Sequence, residues 1–140
     1  YSKTGFVHHI SPQLVDAIVN GLEEHPQRQT HVGFQHCGGA ISRVAADATA
    51  FPHRGIHATS LLTVDWPADV DPTPHVKWLL AYWDTIRPHT DGFYTNDASD
   101  ETQKMLDENY LGNLPRLVKL KNQYDPTNLF RLNANVRPAA

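Results

Sequence analysis

A chain of 140 residues with 40% hydrophobic and 19% charged content has enough apolar side chain for one core and too little charge to stay expanded. Its formal net charge of −3, from 12 Lys and Arg against 15 Asp and Glu, gives no general attraction to phosphate backbones or anionic lipid, so neither nucleic acid nor a membrane is an expected partner. The single cysteine, Cys37, excludes an internal disulfide and a multi-cysteine metal site.

No apolar run approaches the roughly 20 residues that span a bilayer, and the N-terminus lacks a basic stretch followed by a hydrophobic one. The expectation is a soluble, cytoplasmic protein. The chain opens on Tyr1 without an initiator methionine, which suggests processing or a piece of a longer protein.

After a leading strand, Ser11-Pro12 forms a helix start, because serine can cap the first-turn amides and proline has no amide to lose there. Leu14, Val15, Ile18, Val19 and Leu22 then recur at helical spacing, predicting a helix over about 12–24 that stops at His25-Pro26. Thr30 to His36 reads as a strand with Val32 and Phe34 on one face. Gly38-Gly39 interrupts it, and a second strand piece is expected over Ala40 to Val44.

Residues 57–66 carry Ala58, Leu62, Val64 and Trp66 in near alternation with β-branched Thr59 and Thr63, the strongest strand pattern in the chain. Three prolines between Pro67 and Pro74 force a loop, and from His75 the positions Val76, Leu79, Leu80, Trp83 and Ile86 predict a helix that ends at Pro88. A short extended piece is expected at Phe93 to Asn96. It is followed by a helix capped near Ser99 to Thr102 and reaching Tyr110, and by a last helix that ends at Asp125-Pro126. The order implies an α+β fold, an antiparallel β-sheet with helices packed on one face.

The chemistry-bearing motifs are mostly negative. The nine histidines offer only close pairs, His8-His9, His31 with His36, and His53 with His57, none on a predicted helix at ligand spacing, since Pro52 and Gly55 exclude the helix that His53 and His57 would need, so no metal site is expected. Gly38-Gly39 lacks the further glycine, lysine or hydroxyl of a phosphate loop, and Ser42 and Ser60 lack a nucleophile elbow. His53-Arg54 after Phe51-Pro52 reads as a rigid turn whose arginine binds carbonyls or a carboxylate.

Three blocks, however, stand in an order that generic packing does not require. They are Gly38-Gly39-Ala40-Ile41-Ser42-Arg43-Val44 with Ala48-Thr49-Ala50-Phe51-Pro52-His53-Arg54, then Gly92-Phe93-Tyr94-Thr95-Asn96, and then Tyr110-Leu111-Gly112-Asn113, Arg116-Leu117, Lys119, Tyr124-Asp125-Pro126, Asn128-Leu129-Phe130-Arg131, Asn133 and Asn135. Together they resemble the C-terminal region of the FAD-linked oxidases that include berberine bridge enzyme, 6-hydroxynicotine oxidase and bacterial carbohydrate oxidases.

The resemblance implies a partial substrate domain of a two-domain flavoprotein. Residues 1–91 would be the later part of the substrate-binding α+β domain, and 92–140 the berberine-bridge-enzyme-like segment packing back toward an N-terminal FAD-binding domain. FAD would be bound mainly by that other domain. The parent would move a hydride from a small organic substrate (alcohol, amine or sugar) to flavin, the fragment alone being inactive.

On the same footing Tyr94 is the candidate catalytic residue, since a phenol beside the substrate can exchange a proton as hydride leaves. Asn96, Gln35, His36 and Leu61 are candidate substrate-binding residues, and Asn133 and Asn135 candidate cofactor contacts. Leu61 stands where plant members place a glutamate or glutamine, and a leucine cannot take a proton. The rival expectation is a non-catalytic binding or dimerisation module of the same fold, forming a homodimer through the exposed sheet.

Overall fold

The computed structural model describes residues 1–23, 29–97 and 100–139. The elements are β1 (Ser2–Val7), α1 (Pro12–Glu23), β2 (Gln29–His36), β3 (Ala58–Asp65), α2 (Thr73–Ile86), α3 (Gln103–Asn109) and α4 (Leu114–Tyr124). Among the described residues no helix is long and apolar enough to cross a membrane. The chain divides into two compact units, residues 1–38 with 56–99 and residues 39–55 with 100–140. These units do not follow the expected boundary between Asp91 and Gly92, because segment 39–55 leaves the sheet and joins the C-terminal residues.

The first unit is a three-stranded antiparallel sheet in the order β1-β3-β2 with α1 and α2. β3 is the central strand, and its alternation decides the unit's two faces. Ala58, Ser60, Leu62 and Val64 are buried, and Val7, Leu14, Leu79, Tyr82, Trp83 and Ile86 complete the cluster that Ala58, Leu62 and Val64 enter. The odd positions Thr59, Leu61 and Thr63 go to the opposite face and stay half-buried. The α+β expectation, helices on one face of an antiparallel sheet, holds.

Ser11 caps α1 as expected, its Oγ accepting from the Leu14 amide at 3.1 Å. The apolar stripe of α1 is turned from its expected position. Leu14 is fully buried and Ile18 partly so, whereas Val15, Val19 and Leu22 are exposed. The reason lies in Gly21, where an added Cβ would come within 2.0 Å of the Tyr82 ring. The missing side chain lets Tyr82 press onto α1 and donate from its hydroxyl to the Ile18 carbonyl at 2.6 Å. Burial pushes the Tyr82 phenol up to about 12. The expected last residue of this helix, Glu24, and the His25-Pro26 break lie outside the described residues.

α2 starts two residues before His75, with the Asp71 carboxylate accepting from the Thr73 amide at 3.0 Å. Two expected extended pieces are absent. Gly39 adopts a left-handed φ of 60°, so the chain leaves β2 and forms a 3-10 turn over Ile41–Arg43 where a strand was expected. Gly92 adopts a φ of 53° after a single bridge between Asp91 and Phe6, and the expected piece Phe93 to Asn96 forms no strand, residues 95–97 being a turn.

The second unit is held by polar pins. Asn113 donates to the carbonyls of Ala46 (2.7 Å) and Thr49 (3.0 Å), and Arg116 donates to that of Asp47 (2.8 Å). Buried His53 bonds through Nε2 to the Asn109 carbonyl at 2.8 Å. Arg54 reaches the Thr49 hydroxyl and lies over the Phe51 ring, in place of the carbonyls or carboxylate expected of it. Thr102 caps α3 through the Met105 amide; Ser99, the other expected cap, lies outside the described residues. After α4, the Asp125 carboxylate accepts from the amides of Leu129 (2.7 Å) and Phe130 (3.0 Å), while the Lys121 ammonium bonds both Asp125 and the Phe130 carbonyl (2.7 Å).

Two outcomes test these contacts. Gly21→Ala should lower stability by about 1–3 kcal/mol in urea unfolding, because overpacking against Tyr82 outweighs the better helix propensity of alanine; an unchanged or raised midpoint would contradict the contact. The Lys121 hydrogen bond, with the Leu129 and Phe130 amides, holds the Asp125 carboxyl below its ordinary value of 3.8. A lowered folded value stabilises the fold above the unfolded value, and this contribution fades as pH falls through the folded one. Asp125→Asn should therefore destabilise the protein at neutral pH, and the gap to the parent should narrow below the ordinary carboxylate range.

Candidate active-site face

The face of the sheet opposite α1 and α2 is assembled by register. Thr4 pairs with Leu61 and Phe6 with Thr59 on one side, while Gly33 pairs with Leu61 and Gln35 with Thr59 on the other. The side chains of Gln35, Thr59 and Leu61 therefore share this face. Cys37 continues it, its Sγ lying 3.5 Å from the Thr59 hydroxyl. Gln35 is exposed, and Thr59 and Leu61 are half-buried.

Segment 93–97 is tied to the β1 side of the same face. The Tyr94 amide donates to the Thr4 hydroxyl at 2.9 Å, and the Ser2 hydroxyl donates to the Asp97 carbonyl at 2.6 Å. Ser2 and Thr4 are two residues apart on the strand, so they present their hydroxyls together. Buried Phe93 anchors the start of the segment, while Tyr94 and Asn96 remain exposed. The Asn96 amide donates to the Tyr94 hydroxyl at 2.9 Å, which leaves that oxygen both a donor and a further acceptor.

Four of the expected residues, Tyr94, Asn96, Gln35 and Leu61, are thus brought to one sheet face. His36 is separated from them. As the neighbour of Gln35 on a strand it takes the other register, opposite Ala58, and its ring meets that of His57 edge-on at 5.3 Å. Asn133 and Asn135 belong to the second unit. Asn133 is exposed at a φ of 60°, and its carbonyl accepts from the Asn135 amide at 2.9 Å. The Asn135 carbonyl accepts from the Gln103 amide at 2.8 Å, while its Oδ1 is buried with no partner. Such an orphaned acceptor is costly unless a donor reaches it.

Sequence reasoning missed Thr4, Ser2 and Thr59. Their signal is weak, a hydroxyl at every second position of two strands, and it acquires meaning only once the register places Ser2, Thr4 and Thr59 on one side. Among the described residues no group of three or more His, Cys, Asp or Glu side chains is arranged to hold a metal ion.

Thr4→Val tests how the segment is held. It leaves the Tyr94 amide without its acceptor at a cost of about 1–3 kcal/mol, so amide exchange at Tyr94 should accelerate while the α2 amides keep their protection. Unchanged exchange at Tyr94 would show that the hydroxyl does not position it.

Residues 93–137 match the family described as Berberine and berberine like. The chain is 30% identical over 129 residues to YgaK, an uncharacterized FAD-linked oxidoreductase of Bacillus subtilis, a match that takes in 92% of this chain and 29% of that protein. Among solved structures, the berberine-bridge-enzyme-like protein 28 of Arabidopsis thaliana superposes with a TM-score of 0.85 at 21% identity, covering 99% of this chain and 34% of its own. A glycopeptide hexose oxidase solved with teicoplanin gives 0.87 at 22% identity, covering 98% and 32%. The chain therefore spans about a third or less of the length of each of these proteins. Residues 93–137 match the berberine and berberine-like family, and the chain as a whole is similar to one part of an FAD-linked oxidoreductase.

Proposed function

We propose that the longer protein carrying this chain oxidises a small organic substrate (an alcohol, an amine or a sugar) by hydride transfer to FAD, and that this chain supplies the substrate-side wall. The observation that carries the reading is the open sheet face, where Leu61 offers an apolar floor and Gln35, Tyr94 and Asn96 offer hydrogen-bonding groups around it. A flat surface of this composition suits a planar ring with a small polar substrate against it. FAD, when bound, supplies the hydride acceptor.

Each residue then has a stated task. Tyr94 Oη relays the proton that leaves the substrate heteroatom, handing its own to the solvent to which it is exposed, Asn96 orients that oxygen through its amide, and Gln35 and Leu61 set the fit of the substrate. His36 lies outside this pocket by its register. Asn133 and Asn135 would hold the cofactor, Asn133 through its exposed side-chain amide. An N-terminal FAD-binding domain of the same cytoplasmic protein holds the rest of the flavin, and the 140 residues alone turn nothing over.

The presence of Leu61 favours a second reading. A leucine at the position where plant members carry a glutamate or glutamine removes one proton acceptor, as in a non-catalytic binding or dimerisation module that keeps the fold. Tyr94→Phe in the full-length protein separates the two. The enzyme reading expects kcat/KM to fall about 10²–10⁴-fold with the flavin spectrum and melting temperature unchanged. Unaltered turnover in the variant removes Tyr94 from catalysis, and no flavin reduction by any alcohol, amine or sugar in the parent favours the binding module.

A further inference from the structure

The helix layer holds a cavity of about 350 Å³ between α1 and α2, on the side of the sheet away from the candidate active-site face. The gap exists because the side chains of Ala17 and Ala81 stop at Cβ and Gly21 has none, and a Cβ at Gly21 would fall 2.0 Å from the Tyr82 ring. Half-buried Trp78 and buried Tyr82 form an aromatic wall, their rings 5.5 Å apart and tilted by 47°. Two polar residues complete the lining. Thr85 donates its hydroxyl to the Tyr82 carbonyl at 2.8 Å, so its oxygen is left as an acceptor. The exposed Asn20 side-chain amide has no hydrogen-bond partner among the described residues and offers both a donor and an acceptor. No charged side chain lines the cavity.

This lining selects its guest. A neutral wall gives an ion nothing to pair with, and a rim open to water at Asn20, Ala81 and Thr85 gives a wholly apolar guest too little shelter. An aromatic face beside an amide and a hydroxyl suits a molecule with a C–H face and an edge of hydroxyls, because the negative ring face attracts the C–H groups. We propose that the cavity is a sugar-binding subsite for one neutral pyranose ring, with its C–H face on Trp78, two adjacent hydroxyls on the Asn20 amide and a third donating to Thr85. The volume is at the low end of the range of about 300–1,000 Å³ usual for ligand sites, which is room for a ring and not for a chain. The subsite lies on the opposite face from Gln35, Leu61 and Tyr94, so it requires no hydride transfer and stands apart from the proposed chemistry.

Titration of the full-length protein with glucose and with cellobiose, followed by NMR of isotope-labelled tryptophan, tests this. The Trp78 indole signal is assigned by its loss in Trp78→Phe. Both sugars should move it saturably with a Kd of about 1–10 mM, the weak affinity expected of a shallow site with few polar contacts. Asn20→Leu should weaken binding about three- to tenfold by removing the amide. Ala81→Leu should abolish the shift by filling the groove. Both positions are exposed, so the melting temperature should stay that of the parent. A signal unmoved by either sugar at about 100 mM, or an unchanged Kd in both variants, overturns the proposal. So does a response to cellobiose without one to glucose, which would mean that a chain is recognised, and so does tighter binding of phenol, which would make the guest an aromatic ring. Tyr94→Phe should leave the titration unchanged; a shift lost there would place the sugar on the other face and contradict the subsite.

Discussion

The position of β3 between two antiparallel neighbours is the constraint from which the first unit follows. With both edges hydrogen-bonded, the strand cannot shift by one residue without exchanging its faces, so Leu62 and Val64 are committed to the helices and Thr59 and Leu61 to the other side. The fully buried Leu62, Val64 and Leu79 make that commitment costly to undo, since loss of a single such leucine side chain typically removes about 2–5 kcal/mol. The same register selects Gln35 for the open face and withdraws His36 from it. Core energetics and site geometry are therefore set by one strand pairing.

Much of this was legible in the sequence because period-two and helical patterns report burial directly. Ala58, Leu62 and Val64 alternate as the buried face of β3, and Leu79, Trp83 and Ile86 recur as that of α2. What escaped was decided by close approach. Gly21 gives no hydrophobic signal, yet the space above it lets Tyr82 in and turns α1 so that Val15 and Val19 face out. The glycines at 39 and 92, left-handed in the structure, each precede a stretch that was expected to extend and does not. Tyr94 and Asn96 were legible only through resemblance, and the hydroxyls of Ser2 and Thr4 that seat their segment carry no signal until the strands are paired.

In the second unit, several residues of the resembling blocks have structural work that can be read off the hydrogen bonds. Asn113 and Arg116 bind backbone carbonyls of segment 39–55, and His53 returns the tie to α3. Asp125 organises its own turn. These ties explain why side-chain amides and a guanidinium recur at those places without invoking substrate, and they leave Arg54 Nε, Asn128 Oδ1 and Asn135 Oδ1 as buried polar atoms of this unit without a partner. The family likeness is thus carried largely by groups that shape the backbone, while the proposed chemistry lies on the sheet.

The central claim is that the face bearing Gln35, Thr59, Leu61 and Tyr94 looks onto the isoalloxazine. A crystal structure of the full-length, flavin-loaded protein measures this directly. The account predicts the Leu61 side chain and the Tyr94 hydroxyl within substrate distance of the ring, about 3–7 Å, allowing for one small molecule between them. A flavin seated against α1 and α2, or one with neither residue near it, would contradict the account.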